Sequence, residues 1–206
     1  MSLQHVVLFD RHIGPLVHSR EGVRTIDVTA LSYSGIFQRL RDVTEPVPNQ
    51  SMTYNPMRHR SRQARAPVPV LSIMCHGVRV DLPNVDFDFF LDLGVQGITP
   101  SRASAFGMGL RGHVTEKIRM LVCNAALTDD GKTIMSRIAV GAGVPVFASA
   151  ARQAYTLHYG RYVDFGPWEG DVYRFDPSGD WRIAFSGPSY AQGLAEAQRN
   201  TRPFGG

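Results

Sequence analysis

Val68-Pro69-Val70-Leu71-Ser72-Ile73-Met74-Cys75, running into His76-Gly77, and Ile118-Arg119-Met120-Leu121-Val122, running into Cys123-Asn124-Ala125-Ala126, decide the reading of this chain. Each is a short apolar run, the pattern of a strand buried in a sheet. Two parallel strands ending on a histidine and a cysteine deliver both residues to one edge of that sheet. In open α/β sheets the carboxyl edge is where sites are built. The pairing also has a chemical reason, because a thiol needs a neighbouring base to act as a nucleophile at neutral pH.

The rhythm around these runs predicts the fold class. Leu3 to Phe9 and Gly22 to Val28 read as strands, and Ile36, Phe37, Leu40 and Val43 recur at helical spacing behind Ser34 as a cap. Phe87, Phe89 and Leu91 alternate with acidic residues between Asp86 and Asp92, as on a strand with one partly acidic face. Ser101 to Gly112 reads as a helix weakened by Gly107 and Gly109. Asp129 and Asp130 read as the cap and first-turn acids of a helix reaching Ala142, and Val144 to Ser149 as the next strand. Alternation of this kind predicts an α/β domain with a mostly parallel sheet and helices on both faces. Asp171 to Phe175 and Trp181 to Phe185 flank Pro177-Ser178-Gly179-Asp180 and predict a C-terminal hairpin. The expected organisation is one domain over residues 1–185, with a tail over 186–206 holding a short helix near Gly193 to Arg199.

Within that domain, residues 44–69 change character. Prolines 46, 48, 56, 67 and 69 break regular structure, and Arg58, His59, Arg60, Arg62 and Arg65 make the stretch basic. It reads as a solvated surface loop; a processing site or a patch for an acidic partner are the sharper readings.

Composition bounds the rest. A hydrophobic fraction of 43% over 206 residues suits a folded domain. No run approaches the roughly 20 apolar residues of a membrane helix, and the first ten residues lack the features of a signal peptide. The expectation is a cytoplasmic protein, or one exported without a cleavable signal. The formal charge is +4, carried almost wholly by arginine, since Lys117 and Lys132 are the only lysines. No interleaving of basic and aromatic residues points to nucleic acid. Two cysteines make no disulfide framework, and Cys75 and His76, as strand neighbours, point to opposite faces, so neither a metal nor another cofactor is expected.

The His76-Gly77 strand end, with a strand-end Cys123 47 residues later, resembles the caspase-like cysteine peptidases: caspases, metacaspases, gingipains, separases and bacterial CHAT-domain proteins. The resemblance continues through Asp130-Gly131-Lys132 to Gly141-Ala142-Gly143-Val144-Pro145-Val146-Phe147-Ala148-Ser149 and covers residues 67–150. It departs from caspases beside the nucleophile, where Leu121-Val122 precede Cys123 and Asn124-Ala125 follow it. A polar side chain two before the cysteine helps to set specificity in relatives, and Leu121 cannot serve that way.

What the resemblance implies is a cysteine peptidase of caspase-like fold, in an effector or toxin context, with a protein or peptide substrate and a regulatory protein partner. Cys123 is the nucleophile, His76 the general base and acid, and the N–H groups of Gly77 and Cys123 the oxyanion hole. Asn124, Ser149 and Asp164 are further candidates for oxyanion or substrate contact. Each has a plainer reading: a buried cysteine, a satisfied strand-end histidine, a turn glycine. Cys75 reads as core and His113 as too far down its strand to be the base. His158 is a candidate for the cleft, Glu169 for recognition of a basic group, and Trp168 for a cleft wall or core closure. The alternatives are a deamidase or acyl transferase using the same dyad, and a non-catalytic module binding through Arg58 to Arg65 and the acidic Asp86 to Asp92 strand.

Overall fold

The computed structural model describes residues 3–14, 22–44, 66–153, 168–189, 191–193 and 195, with the backbone of 155–158 and 162–165. The Arg58 to Arg65 loop and most of the expected C-terminal helix lie outside the described residues. In chain order the elements are β1 (His5–Phe9), β2 (Val23–Asp27), α1 (Tyr33–Val43), β3 (Val68–Met74), β4 (His76–Arg79) and β5 (Phe89–Asp92). They continue with α2 (Pro100–Leu110), β6 (Val114–Leu121), α3 (Asp129–Ala142), β7 (Val146–Ser149), β8 (Tyr155–His158), β9 (Tyr162–Phe165), β10 (Asp171–Phe175) and β11 (Trp181–Ser186).

The main sheet has seven strands in the order β11-β10-β7-β6-β3-β1-β2. From β2 to β7 the pairing is parallel, and β10 and β11 extend that edge antiparallel. The two last strands are therefore part of the sheet. Gly187 and Pro188, expected in the tail, are tied back to the Gly170 backbone by hydrogen bonds of 2.8 Å.

Helices were expected on both faces; among the described residues α1, α2 and α3 all pack on one. The register makes this visible, because Val6, Leu71, Ile118 and Val146 lie level across four strands and all belong to the core shared with the helices. Strand order supplies the reason. The connections β2 to β3, β3 to β6 and β6 to β7 all step the same way along the sheet, so right-handed crossovers put their helices on the same side. Only β1 to β2 steps the other way, and its connection carries Ile13 to a small second core with Val7, Phe9, Met74 and Leu121.

The helix starts shift slightly from expectation. Ser32, not Ser34, caps α1 by accepting the Gly35 N–H, and Thr128 caps α3 by accepting the Gly131 N–H. Asp129 and Asp130 then occupy the first turn, where carboxylates suit the helix dipole. The glycines of α2 also acquire a purpose. A Cβ at Gly107 would overlap the Ile138 backbone, and one at Gly141 the backbone of Gly107 and Met108. The helices α2 and α3 thus cross backbone to backbone.

Candidate functional site

Strand order also fixes where a site belongs. The chain moves outward from β1 to β2 in one direction and from β3 onward in the other, so the sheet's switch point lies between β1 and β3. Crevices at such points, beyond the carboxyl ends of the strands, are where open α/β sheets hold ligands. Asp10 and His12 follow β1 there, Cys75 and His76 follow β3, and Cys123 follows the neighbouring β6.

The structure brings the backbones of His76-Gly77 and Cys123 together. A methyl group on Gly77 would overlap the Cys123 carbonyl oxygen and the Phe89 ring, so only glycine fits this approach. Beyond β6 the chain turns sharply through Asn124, which has φ 57°, the left-handed region. The Asn124 N–H is committed to the Ala151 carbonyl at 2.9 Å, leaving only the Asn124 side chain as a substrate contact.

Cys123 itself is half-buried. The Gln153 N–H donates to its Sγ at 3.3 Å, and the thiol reaches the Gln153 carbonyl at 3.8 Å. Gln153 is held in turn by its side-chain amide, which donates to the carbonyls of Ala151, Arg152 and Glu169 and accepts the Glu169 N–H.

His76 is exposed, and its Nε2 lies 2.9 Å from the His12 carbonyl. A carbonyl only accepts, so Nε2 carries the hydrogen and Nδ1 carries the lone pair. His12 is in turn fixed by Asp10. The fully buried Asp10 carboxylate accepts the His12 N–H at 3.0 Å and lies 3.1 Å from its Nδ1, while its other oxygen accepts the Gly94 N–H at 2.8 Å. Asp92, paired with His76 across β4 and β5, stands 3.8 Å from the His12 ring.

The other expected site residues fall elsewhere. Ser149 is fully buried, its hydroxyl donating to the Glu169 carbonyl at 2.5 Å and accepting the Ala151 N–H at 3.0 Å. It clamps the loop after β7 instead of facing a cleft. Asp164 lies on β9 and His158 on β8; their side chains lie outside the described residues. Glu169 is buried against Gly193, which removes it from any cleft. Trp168 packs on the second core and stacks with Phe147 and Phe185. His113 is buried at the amino end of β6, with Nδ1 2.6 Å from the Thr44 hydroxyl. Cys75 is buried in the helix-side core, and burial pushes its thiol up, with Asp10, Asp92 and Cys123 adding to the effect.

Asp10, His12 and Gln153 are site residues that sequence reasoning missed. A signal for the first two exists: Asp10-Arg11-His12 directly follows an apolar strand, the same context that singles out His76 and Cys123. Gln153 acts through its backbone N–H, which no side-chain pattern announces.

Among the described residues no group of three or more His, Cys, Asp or Glu is arranged to hold a metal ion. Among them also, no helix is long and apolar enough to cross a membrane. Compared with protein-family models, with curated proteins and with solved structures, the chain matches none.

Proposed function

We propose that this chain is a cysteine peptidase of caspase-like type, hydrolysing peptide bonds in a protein or peptide substrate through Cys123 and His76. The observation that supports it most is the close packing of Gly77 on the Cys123 carbonyl at the carboxyl edge beside the switch point. That contact sets a potential base, a thiol and two backbone N–H groups in one small region.

The roles follow from the hydrogen bonds. With Nε2–H held by the His12 carbonyl, Nδ1 of His76 takes the thiol proton. The sulfur, which receives the Gln153 N–H, then attacks the scissile carbonyl carbon. The N–H groups of Gly77 and Cys123 receive the oxyanion. Collapse breaks the C–N bond, and the His76 imidazolium gives its proton to the departing amine. Water, deprotonated by His76, hydrolyses the thioester and restores the thiol. The sequence of steps needs neither metal nor organic cofactor. A deamidase or acyl transferase would use the same first half, and product identification separates them.

A second reading, a non-catalytic interaction module, is favoured by one fact. Among the described residues, the His76 ring bonds to the His12 carbonyl and not to the Cys123 thiol. Iodoacetamide labelling followed by intact mass, on wild type, Cys123→Ala and His76→Ala at pH 7, decides between them. The peptidase reading expects one label, on Cys123, slowed at least about tenfold by His76→Ala. Labelling indifferent to His76 sinks the dyad and supports the module.

A further inference from the structure

The face of the sheet opposite the helices carries a second site, unrelated to the dyad chemistry. There β6 presents Lys117 and Arg119, with Arg119 level with Phe147 on β7. The Arg119 guanidinium sits 5.2 Å from the centre of the Trp168 ring. Trp168 is stacked with Phe147 at 6.2 Å and with Phe185 at 5.8 Å, the planes within 20° in both pairs. With Gly187 and Pro188 these residues line a half-open pocket of about 380 Å³, within the size range of small-molecule sites.

Three of its lining side chains are aromatic, and its charged side chains, Lys117 and Arg119, can only donate. Among the described residues neither Arg119 nor Lys117 has a carboxylate within ion-pair distance. The Trp168 indole N–H is buried and has no hydrogen-bond acceptor among them. Burial works against the Arg119 charge and lowers its proton affinity. Among the described residues this partly desolvated guanidinium has a ring face and no carboxylate beside it, an unfavourable arrangement that an anion would relieve. The planar fork of arginine matches the two oxygens of a carboxylate, and the aromatic walls match a flat ring.

We propose that this cavity binds a small aryl carboxylate, its carboxylate on Arg119 and Lys117 and its ring against the Phe147, Trp168 and Phe185 wall. Arg119 lies on β6, four residues before Cys123, about 13 Å away at the rise of an extended chain, so binding can be measured apart from thiol chemistry.

The test is calorimetric titration of the protein with 2-naphthoate and with its neutral analogue 2-naphthalenemethanol. The acid binds at least about tenfold more tightly than the alcohol, and Arg119→Gln removes that preference. Phe185→Ala weakens both ligands, because it removes wall and not charge. Should Arg119→Gln fail to fold, Lys117→Gln takes its place, with an unchanged melting curve as the check and a loss of about threefold or more for the acid alone. Absence of binding to wild type, equal affinity for acid and alcohol, or full preference retained in a folded Arg119→Gln or Lys117→Gln protein overturns the proposal.

Discussion

Cys75 and Cys123 end adjacent parallel strands, yet their surroundings have almost nothing in common. Met74 on β3 is level with Leu121 on β6, which places Cys75 level with Val122 and Cys123 one residue further on. Strand side chains alternate between faces, so a single residue of offset sends the two thiols to opposite sides. Cys75 and Val122 both join the helix-side core. Cys123 turns to the other side, where the Gln153 N–H meets its sulfur. Residue type was equal at the two positions; register made one packing material and the other a candidate nucleophile. The two histidines repeat the lesson along β6 and β3, with His113 buried against Thr44 at the amino end and His76 exposed at the carboxyl end.

The contrast is broken most directly by alkylation. In the native protein Cys123 reacts at least about a hundredfold faster than Cys75, because a core thiol is reached only through opening. In concentrated guanidinium the two rates converge. Peptide mapping after timed iodoacetamide quenching reads both, and comparable native rates would erase the distinction between the two regions.

Next in size is Gly77→Ala. The added methyl meets backbone and a buried ring, neither of which can step aside cheaply, so urea denaturation registers a loss of about 2–4 kcal/mol. A loss below about 0.5 kcal/mol would mean that the His76 and Cys123 segments are not pressed together. Smaller again is the serine exchange at the two cysteines. Cys75→Ser buries a hydroxyl in an apolar core and costs about 1–3 kcal/mol. Cys123→Ser, with a backbone N–H already facing it, costs less than about 1 kcal/mol.

The finest probe is pH. Burial raises the Cys75 thiol well above 9.0. The folded chain then keeps a proton that the unfolded chain releases, so this stability is complete below about pH 9 and falls as pH rises further, by at most about 1.4 kcal/mol per unit. Cys75→Ala removes the part of that slope that sets in near pH 9 in alkaline urea titrations, leaving the part that Tyr33, raised to about 12 by burial, adds above about pH 10. His113 is lowered from 6.5 by burial and then by Arg41, so the sign reverses. Its contribution is complete above pH 6.5 and is lost as pH falls, and His113→Gln flattens the acid limb of the same titration.

Much of this arrangement is legible in the sequence. Val68 to Cys75, Ile118 to Val122 and Val144 to Ser149 read as buried strands and each overlaps one, although β6 starts earlier, at Val114, and Ile134, Ile138 and Ala142 mark the inner stripe of α3. What local pattern does not contain is strand order. The placement of all described helices on one face follows from the direction of successive crossovers, which no single segment encodes. The same limit hid the fate of Ser149, which stands at the right edge but turns into the loop clamp at Glu169. Gly77 was legible as a glycine of the site, whereas its contact with the Cys123 carbonyl depends on how β4 folds back to pair with β5.

The crossing of α2 and α3 at Gly107 and Gly141 has a mechanical consequence. Where two backbones touch, no side chain can change rotamer to let one helix slide past the other. The pair behaves as a welded strut, and the turn from Cys123 to Thr128 is anchored to its end. Compliance in the crevice is then left to the other wall, where β4 and the loop at Gln153 hold the remaining groups. A bulky residue at Gly107 would push α3 away from α2 and, through the strut, shift the turn that follows Cys123.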